Sequence, residues 1–179
     1  MNVTKCNLDG ILLIEPKIFV DQRGFFRETY ELERYMSAGV ADEFVQDNHS
    51  RSYKNVLRGM HYTKQNTQSQ LLTVISGAIF DVVVDIRRDS ESFGKWFGAE
   101  LISGGICQIF MPPGFAHGFC VLSDYADLHY KVSQSYDPLN EAGLRWDDTE
   151  VGIQWPIKNP IMSSRDKLHP LLRQIDSSI

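Results

Sequence analysis

The chain reads as mostly β, a jelly-roll barrel with short flanking helices, on three observations. Short runs of β-branched and aromatic residues recur at intervals near ~10 residues between Gly/Pro turns, the spacing of a sandwich or jelly roll. From Phe80 to Arg87 the chain alternates: Phe80, Val82, Val84 and Ile86 share one face, and Asp81, Val83, Asp85 and Arg87 the other. A period of two marks a strand, and a charged second face fits either solvent or the wet interior of an open barrel. Third, helical periodicity is confined to two short stretches, Tyr30–Val40 and Leu171–Ile175.

Each element follows from local signals. Ile11–Phe19 reads as the opening strand, with Pro16 marking an edge or a bend. Asp21-Gln22-Arg23-Gly24 is a turn into a second short strand, Phe25–Tyr30. In the helix, Thr29 stands as N-cap, Leu32, Tyr35 and Met36 share a face, and Gly39 sits at the C-terminal end. Strands follow at Phe44–His49 and Leu57–Tyr62, then a polar break, Thr63–Ser69. Leu71–Ile75 and Ala78–Arg87 are separated by Ser76-Gly77, and Lys95–Ile102 and Ile106–Met111 by the hairpin signal Ser103-Gly104-Gly105. After the Pro112-Pro113-Gly114 turn come strands at Gly118–Leu122 and Leu128–Ser133. The tail carries Trp146, Trp155 and a short helix after Pro170.

Composition narrows the function. At 179 residues, 42% hydrophobic and 23% charged, the chain can bury a sizeable core. No composition break, repeat or low-complexity tract divides it, so residues 1–179 read as a single jelly-roll domain. The net charge of −5 without any basic run argues against nucleic acid. No apolar run approaches the ~20 residues that span a membrane. The start, MNVTKCNLDG, lacks the basic and apolar regions of a signal peptide, so the Asn2-Val3-Thr4 sequon carries no weight. The odd number of cysteines, Cys6, Cys107 and Cys120, and their wide spacing point to reduced thiols and a cytoplasmic location.

Candidate chemistry collects beside glycines. Arg23, Arg58, His61 and His117 all sit at strand ends or turns where glycine lets backbone or ligand approach. Taken alone, His61 is more readily a satisfied structural histidine. Arg58 and His61 also have opposite parity on a regular strand, and a bulge at Gly59 is needed to bring both to one pocket. Pro112–His117, PPGFAH, fits the P-x-G-x-x-H second motif of cupins. A metal-binding cupin also needs H-x-H and a glutamate in the first motif. Here residue 63 is threonine, and no glutamate lies between His61 and Asp81. Two histidines without a carboxylate make a poor metal site, so no catalytic metal is expected. For His117, a core histidine bonded to backbone competes with a role in a site.

With these motifs in place, the chain resembles the dTDP-4-dehydrorhamnose 3,5-epimerases, a metal-free cupin family acting on nucleotide sugars. The resemblance runs from about Ile11 to about Asp166 and is carried by six motifs in order: RGFFRETY (Arg23–Tyr30), QDNHS (Gln46–Ser50), LRGMHY (Leu57–Tyr62), DVVVDIRRDSESFGKW (Asp81–Trp96), PPGFAHGF (Pro112–Phe119) and YKVSQSYDP (Tyr130–Pro138). It implies a cupin-type jelly-roll homodimer with exchanged N-terminal strands, using neither cofactor nor metal. It implies His61 as general base, Asp166 as its orienting partner and Tyr130 as general acid. Arg23, Phe26, Glu28, Gln46, Asn48 and Arg58 would bind the nucleotide and phosphates, some from the partner subunit. His117, Tyr136, Glu141 and Arg165 would line the sugar site. Without the family, Tyr130 fits a packed core tyrosine, Asp166 a helix cap, Arg23 a turn brace, Glu28 a solvated strand residue and Tyr136 a turn anchor.

The implied substrate, a nucleotide-diphosphate 4-keto sugar, explains those residue types. A 4-keto group acidifies the hydrogens on C3 and C5. Epimerisation needs a base on one ring face, an acid on the other, and a donor for the enolate oxygen between the two steps. Histidine suits the base, tyrosine the acid, and guanidinium forks suit the diphosphate. One departure stands out. Where the family carries lysine in a Q-x-K-L pattern, this chain has Gln68-Ser69-Gln70-Leu71. The resemblance gives that lysine the ketone oxygen, and Gln70 can donate to it but brings no charge. The leading expectation is therefore a cytoplasmic epimerase inverting C3, C5 or both. The alternatives are single-carbon action on another 4-keto sugar, a sugar 3,4-ketoisomerase, and a non-catalytic sugar-nucleotide-binding cupin.

Overall fold

The computed structural model describes residues 1–65 and 67–175. Its strands are β1 (Asn2–Lys5), β2 (Leu12–Glu15), β3 (Ile18–Asp21), β4 (Gly24–Arg27), β5 (Gln46–Tyr53), β6 (Leu57–Thr63), β7 (Gln70–Ser76), β8 (Ala78–Asp85), β9 (Trp96–Ile102), β10 (Gln108–Met111), β11 (Phe115–Val121), β12 (Tyr125–Val132) and β13 (Glu141–Gly143). One helix, α1 (Leu32–Ser37), joins β4 to β5. One sheet runs β1-β2-β10-β7-β12-β5 and the other β13-β6-β11-β8-β9, while β3 and β4 pair only with each other. The pairings within both large sheets are antiparallel.

The alternation in β8 decides which side is inside. Ile79 and Val83 meet Leu72, Val74, Ile109 and Leu128 of the opposite sheet in the core. Their face also carries Asp81 and Asp85, which are 1% and 0% exposed. The charged face is thus the interior, as a wet barrel requires: Asp81 Oδ2 is bonded to His117, while its Oδ1 is buried without a hydrogen-bond partner among the described residues. Asp85 accepts from Arg87 Nε and Nη2, the Arg87 backbone, Ser90 and Ser92. The fully apolar face points away from the barrel. Val82, Val84 and Ile86 are covered there by Leu144, Val151, Leu172 and Ile175 of the tail. A third cluster seats Tyr35 and Val40 on Leu12, Ile14, Leu71 and Phe110.

Several boundaries differ from the sequence expectation for local reasons. Pro16 does more than bend the first strand: it separates β2, in the large sheet, from β3, in the hairpin. The helix is shorter and is capped by Glu31, whose carboxylate accepts from the backbone of Glu33 and Arg34 at 3.2 and 2.9 Å. Thr29 is not the cap; its carbonyl accepts from Gln108 Nε2 at 2.7 Å. Of the expected helix face, Tyr35 is buried, but Leu32 and Met36 are 40% and 47% exposed. The tail helix is a 3₁₀ turn over Leu172–Gln174. The short strands β1 and β13 lack the alternation that would reveal them in the sequence. No helix of the described residues is long and apolar enough to cross a membrane.

Candidate active site

The site begins with an irregularity in β6. His61 pairs with His117 on β11 and with Gly143 on β13. One step further, Arg58 stands opposite Phe119, so β6 uses three residues where β11 uses two. This is the bulge that the parity of Arg58 and His61 demanded, and both side chains line one cavity. Gly59, at φ +124°, carries it. A Cβ there would lie 2.5 Å from Gly118 Cα and 2.8 Å from the His117 carbonyl, so the position is closed to any side chain.

The cavity measures about 450 Å³. His61 and His117 of one sheet and Tyr130 of the other open onto it together. His61 Nε2 lies 3.1 Å from Asp166 Oδ1. Asp166 is 5% exposed, and its Oδ2 accepts the Gly59 N–H at 3.3 Å. Burial alone would raise the Asp166 pKa, but the bond to His61 and its charge, with help from Ser163 and Gly59, hold it down at about 2. A carboxylate so placed selects the tautomer with hydrogen on Nε2, leaving the Nδ1 lone pair free. Tyr130 sits on β12 between Asn48 of β5 and Leu72 of β7. Burial raises its pKa, Arg58 counters and Glu141 adds, so the phenol keeps its proton at neutral pH.

The other expected residues divide by location. Gln46, Asn48, Gln70, Tyr136 and Glu141 line the cavity with Arg58. Gln46 donates to Asn48 at 2.8 Å and accepts the Tyr136 N–H at 2.9 Å, while Gln70 donates to Gln68 at 3.2 Å. Arg165 stands behind Glu141, which accepts from Arg165 Nη1 at 2.9 Å and from the Tyr136 hydroxyl at 3.1 Å. His117 is bonded not to backbone but to Asp81, Nε2 to Oδ2 at 2.8 Å. Among the described lining residues, Arg58 is the one arginine and there is no lysine. Arg23, Phe26 and Glu28 do not line this cavity. The Arg23 side chain is 90% exposed and bound to Asp21, Phe26 is 68% exposed, and Glu28 pairs with Arg34.

Sequence reasoning missed His169. It follows Asp166 by one 3₁₀ turn, with its Nε2 3.7 Å from Asp166 Oδ1. Its ring meets that of His61 edge-on, centroids 5.6 Å apart. A Cβ on Gly143 would run into the His169 ring, so that glycine makes its room. Burial, then the charge of His61, lowers the His169 pKa and favours the neutral ring. The visible signal was an aspartate and a histidine three apart in a short turn, too common to single out.

Known proteins share this arrangement of chain. The sequence model of the dTDP-4-dehydrorhamnose 3,5-epimerase family matches residues 5–174. The dTDP-4-dehydrorhamnose 3,5-epimerase of Shigella flexneri is 46% identical over 168 residues, 93% of each chain. The crystal structure of dTDP-6-deoxy-D-glucose-3,5-epimerase from Legionella pneumophila, in complex with dTDP-4-keto-L-rhamnose, matches with a TM-score of 0.94 and 45% identity over 98% of this chain and 94% of that one. The dTDP-4-dehydrorhamnose 3-epimerase of Streptomyces niveus is 36% identical over 169 residues, 93% of this chain and 82% of its own. Similarity of this extent, over almost the whole barrel, places the chain in the dTDP-4-dehydrorhamnose 3,5-epimerase family of carbohydrate isomerases.

Proposed function

We propose that the chain inverts C3, C5 or both in a thymidine-diphosphate 4-keto-6-deoxy sugar, with His61 as base, Asp166 as its orienting partner and Tyr130 as acid. The observation that carries this reading is that His61 and Tyr130, on facing sheets, open onto one cavity while Asp166 is bonded to Nε2 of the imidazole. His61 Nδ1 takes the hydrogen beside the ketone, and the electrons move into the carbonyl to form an enolate. Tyr130 delivers a proton to the opposite face, which inverts the carbon. The enolate oxygen is met by a neutral amide, Gln70, rather than by a cation. Arg58, Gln46 and Asn48 hold the diphosphate and nucleoside, and His117, Tyr136, Glu141 and Arg165 shape the sugar end. The thymidine assignment draws on the ligand of the Legionella relative.

Arg23, Phe26 and Glu28 belong to the same reading only if the β3–β4 hairpin reaches a partner's cavity. Its apolar side chains support that: Phe19, Val20, Phe25 and Phe26 are 52%, 78%, 65% and 68% exposed. We therefore read the working unit as a homodimer with exchanged hairpins. The unbonded thiols of Cys6, Cys107 and Cys120 are consistent with a cytoplasmic setting.

A second reading, action at one carbon only, is favoured by Gln70 and the absence of lysine among the described lining residues. A neutral donor stabilises an oxyanion less than a charged one, so the harder of two deprotonations fails first. Incubation with dTDP-4-keto-6-deoxyglucose in D2O, followed by NMR, separates the readings. Deuterium at one carbon supports single-carbon action, full exchange at C3 and C5 at an ordinary rate defeats it, and no exchange at either defeats the substrate assignment. Binding of dTDP compared with CDP, GDP and UDP tests the base.

A further inference from the structure

We propose that His61, Asp166 and His169 form a binding site for a divalent transition metal, best suited to Zn²⁺, and that filling it switches the His61 base off. The ligand atoms are already gathered. Asp166 Oδ1 lies 3.1 Å from His61 Nε2 and 3.7 Å from His169 Nε2, and the three ligand atoms all fall within 4.8 Å of one another. A tetrahedral zinc with bonds of ~2.0–2.1 Å to N and O has ligand–ligand edges of roughly 3.3–3.4 Å. The two contacts to Asp166 bracket that edge. Binding then asks only for small movements of side chains whose ligand atoms already lie within 4.8 Å of one another.

His169 supplies the independent observation. Its side chain is 8% exposed, and its Nε2 is buried without a hydrogen-bond partner among the described residues. A buried nitrogen left unpaired is unfavourable, and coordination satisfies it. The ring is held in place by Gly143 on one side, and the adjoining Pro170 carbonyl accepts the Arg145 N–H at 2.8 Å. Two imidazoles and one carboxylate select zinc over the hard, oxygen-seeking magnesium and calcium. The most exposed of the three ligands is His61, whose side chain lines the cavity and is 34% exposed, against 7% and 8% for Asp166 and His169.

The consequence is a change of tautomer. With hydrogen on Nε2, His61 presents the Nδ1 lone pair to the sugar. A metal on Nε2 forces the neutral ring to carry its hydrogen on Nδ1, and the lone pair that would accept the substrate proton is gone. Metal binding stands apart from the proposed epimerisation; only the inhibition rests on His61 being the base.

The test uses full-length protein freed of metal with EDTA and then titrated with Zn²⁺. Calorimetry and elemental analysis give affinity and stoichiometry, and Co²⁺ reports four-coordination through its visible spectrum. About one zinc per chain is expected, with binding weakened roughly 10–100-fold or more in His169→Phe. His129→Ala, which removes the separate His129–Asp47 pair on the outer sheet face, should leave that value unchanged. Deuterium exchange is then compared with and without zinc within each protein. It should collapse in the wild type and persist in His169→Phe. If His169→Phe fails to fold, His169→Gln, checked by thermal melting, takes its place. Absence of zinc binding, or equal binding by wild type and His169 variants, overturns the site. Zinc bound through His169 with exchange untouched would uphold the site and overturn His61 as the base.

Discussion

Asp166 is nearly buried, and its charge survives because His61 faces it. Its folded pKa of about 2 lies below the ordinary 3.8, so its stabilising contribution is present above about pH 4 and lost as the pH falls toward 2. That shift corresponds to roughly 2 kcal/mol. Acid unfolding followed by circular dichroism should therefore lose this component in Asp166→Asn. The same variant keeps the shape of the side chain but no longer selects the Nε2–H tautomer. Deuterium exchange should fall roughly 10²–10⁴-fold in it, with a smaller change in nucleotide affinity. The pairing of His61 with Asp166 was available from sequence only through the family motifs, since an aspartate in Ser-Ser-Arg-Asp reads locally as a cap. His169 escaped for a related reason. What matters about it is the space left by Gly143, and a glycine in sequence does not say which ring needs its room.

The β6 bulge shows what periodicity can and cannot reveal. Alternation marked β8 as a strand with one charged face, and the parity conflict between Arg58 and His61 called for an irregularity at Gly59; both are present. The pattern could not say that the apolar face of β8 lies outside the barrel, because the cover comes from Val151, Leu172 and Ile175, far along the chain. The helix cap was misplaced because Thr29 and Glu31 both offer side-chain oxygens, and it is the Glu31 carboxylate that accepts the Glu33 and Arg34 N–H groups. Gly59→Ala tests the bulge. The added methyl meets Gly118 and the His117 carbonyl at a backbone angle that disfavours any side chain. Thermal melting should show a loss of about 1–3 kcal/mol or more, and exchange should be lost with it as Arg58 and His61 part company. A Gly59→Ala protein with wild-type stability and activity would remove the bulge from the catalytic design.

The hairpin β3–β4 is the part of the molecule least explained by a single chain. It pairs with neither large sheet, and Arg27 anchors its end by donating to the Ser103 and Val74 carbonyls at 2.6 and 3.3 Å. Beyond that anchor, Phe19, Val20, Phe25 and Phe26 stay more than half exposed, although Phe19 and Phe26 touch each other. Sedimentation should find a homodimer, and Phe26→Asp should shift it toward monomer and weaken dTDP binding together. A monomeric wild type with full activity would strike Arg23, Phe26 and Glu28 from the site. The barrel was legible in sequence because turns and alternation are local. A partner's contribution through Arg23, Phe26 and Glu28 stays part of the proposal; it was suggested only by resemblance, because contacts between chains leave no period in either one.

The most direct measurement of the two-face mechanism is the fate of substrate in D2O with Tyr130→Phe. His61 and Asp166 are intact in that variant, so deprotonation continues. Deuterium should enter beside the ketone with retained configuration, while the inverted product falls roughly 100-fold or more. Inverted, deuterated product forming at the wild-type rate would contradict the assignment of Tyr130 as the acid facing His61 across the sugar.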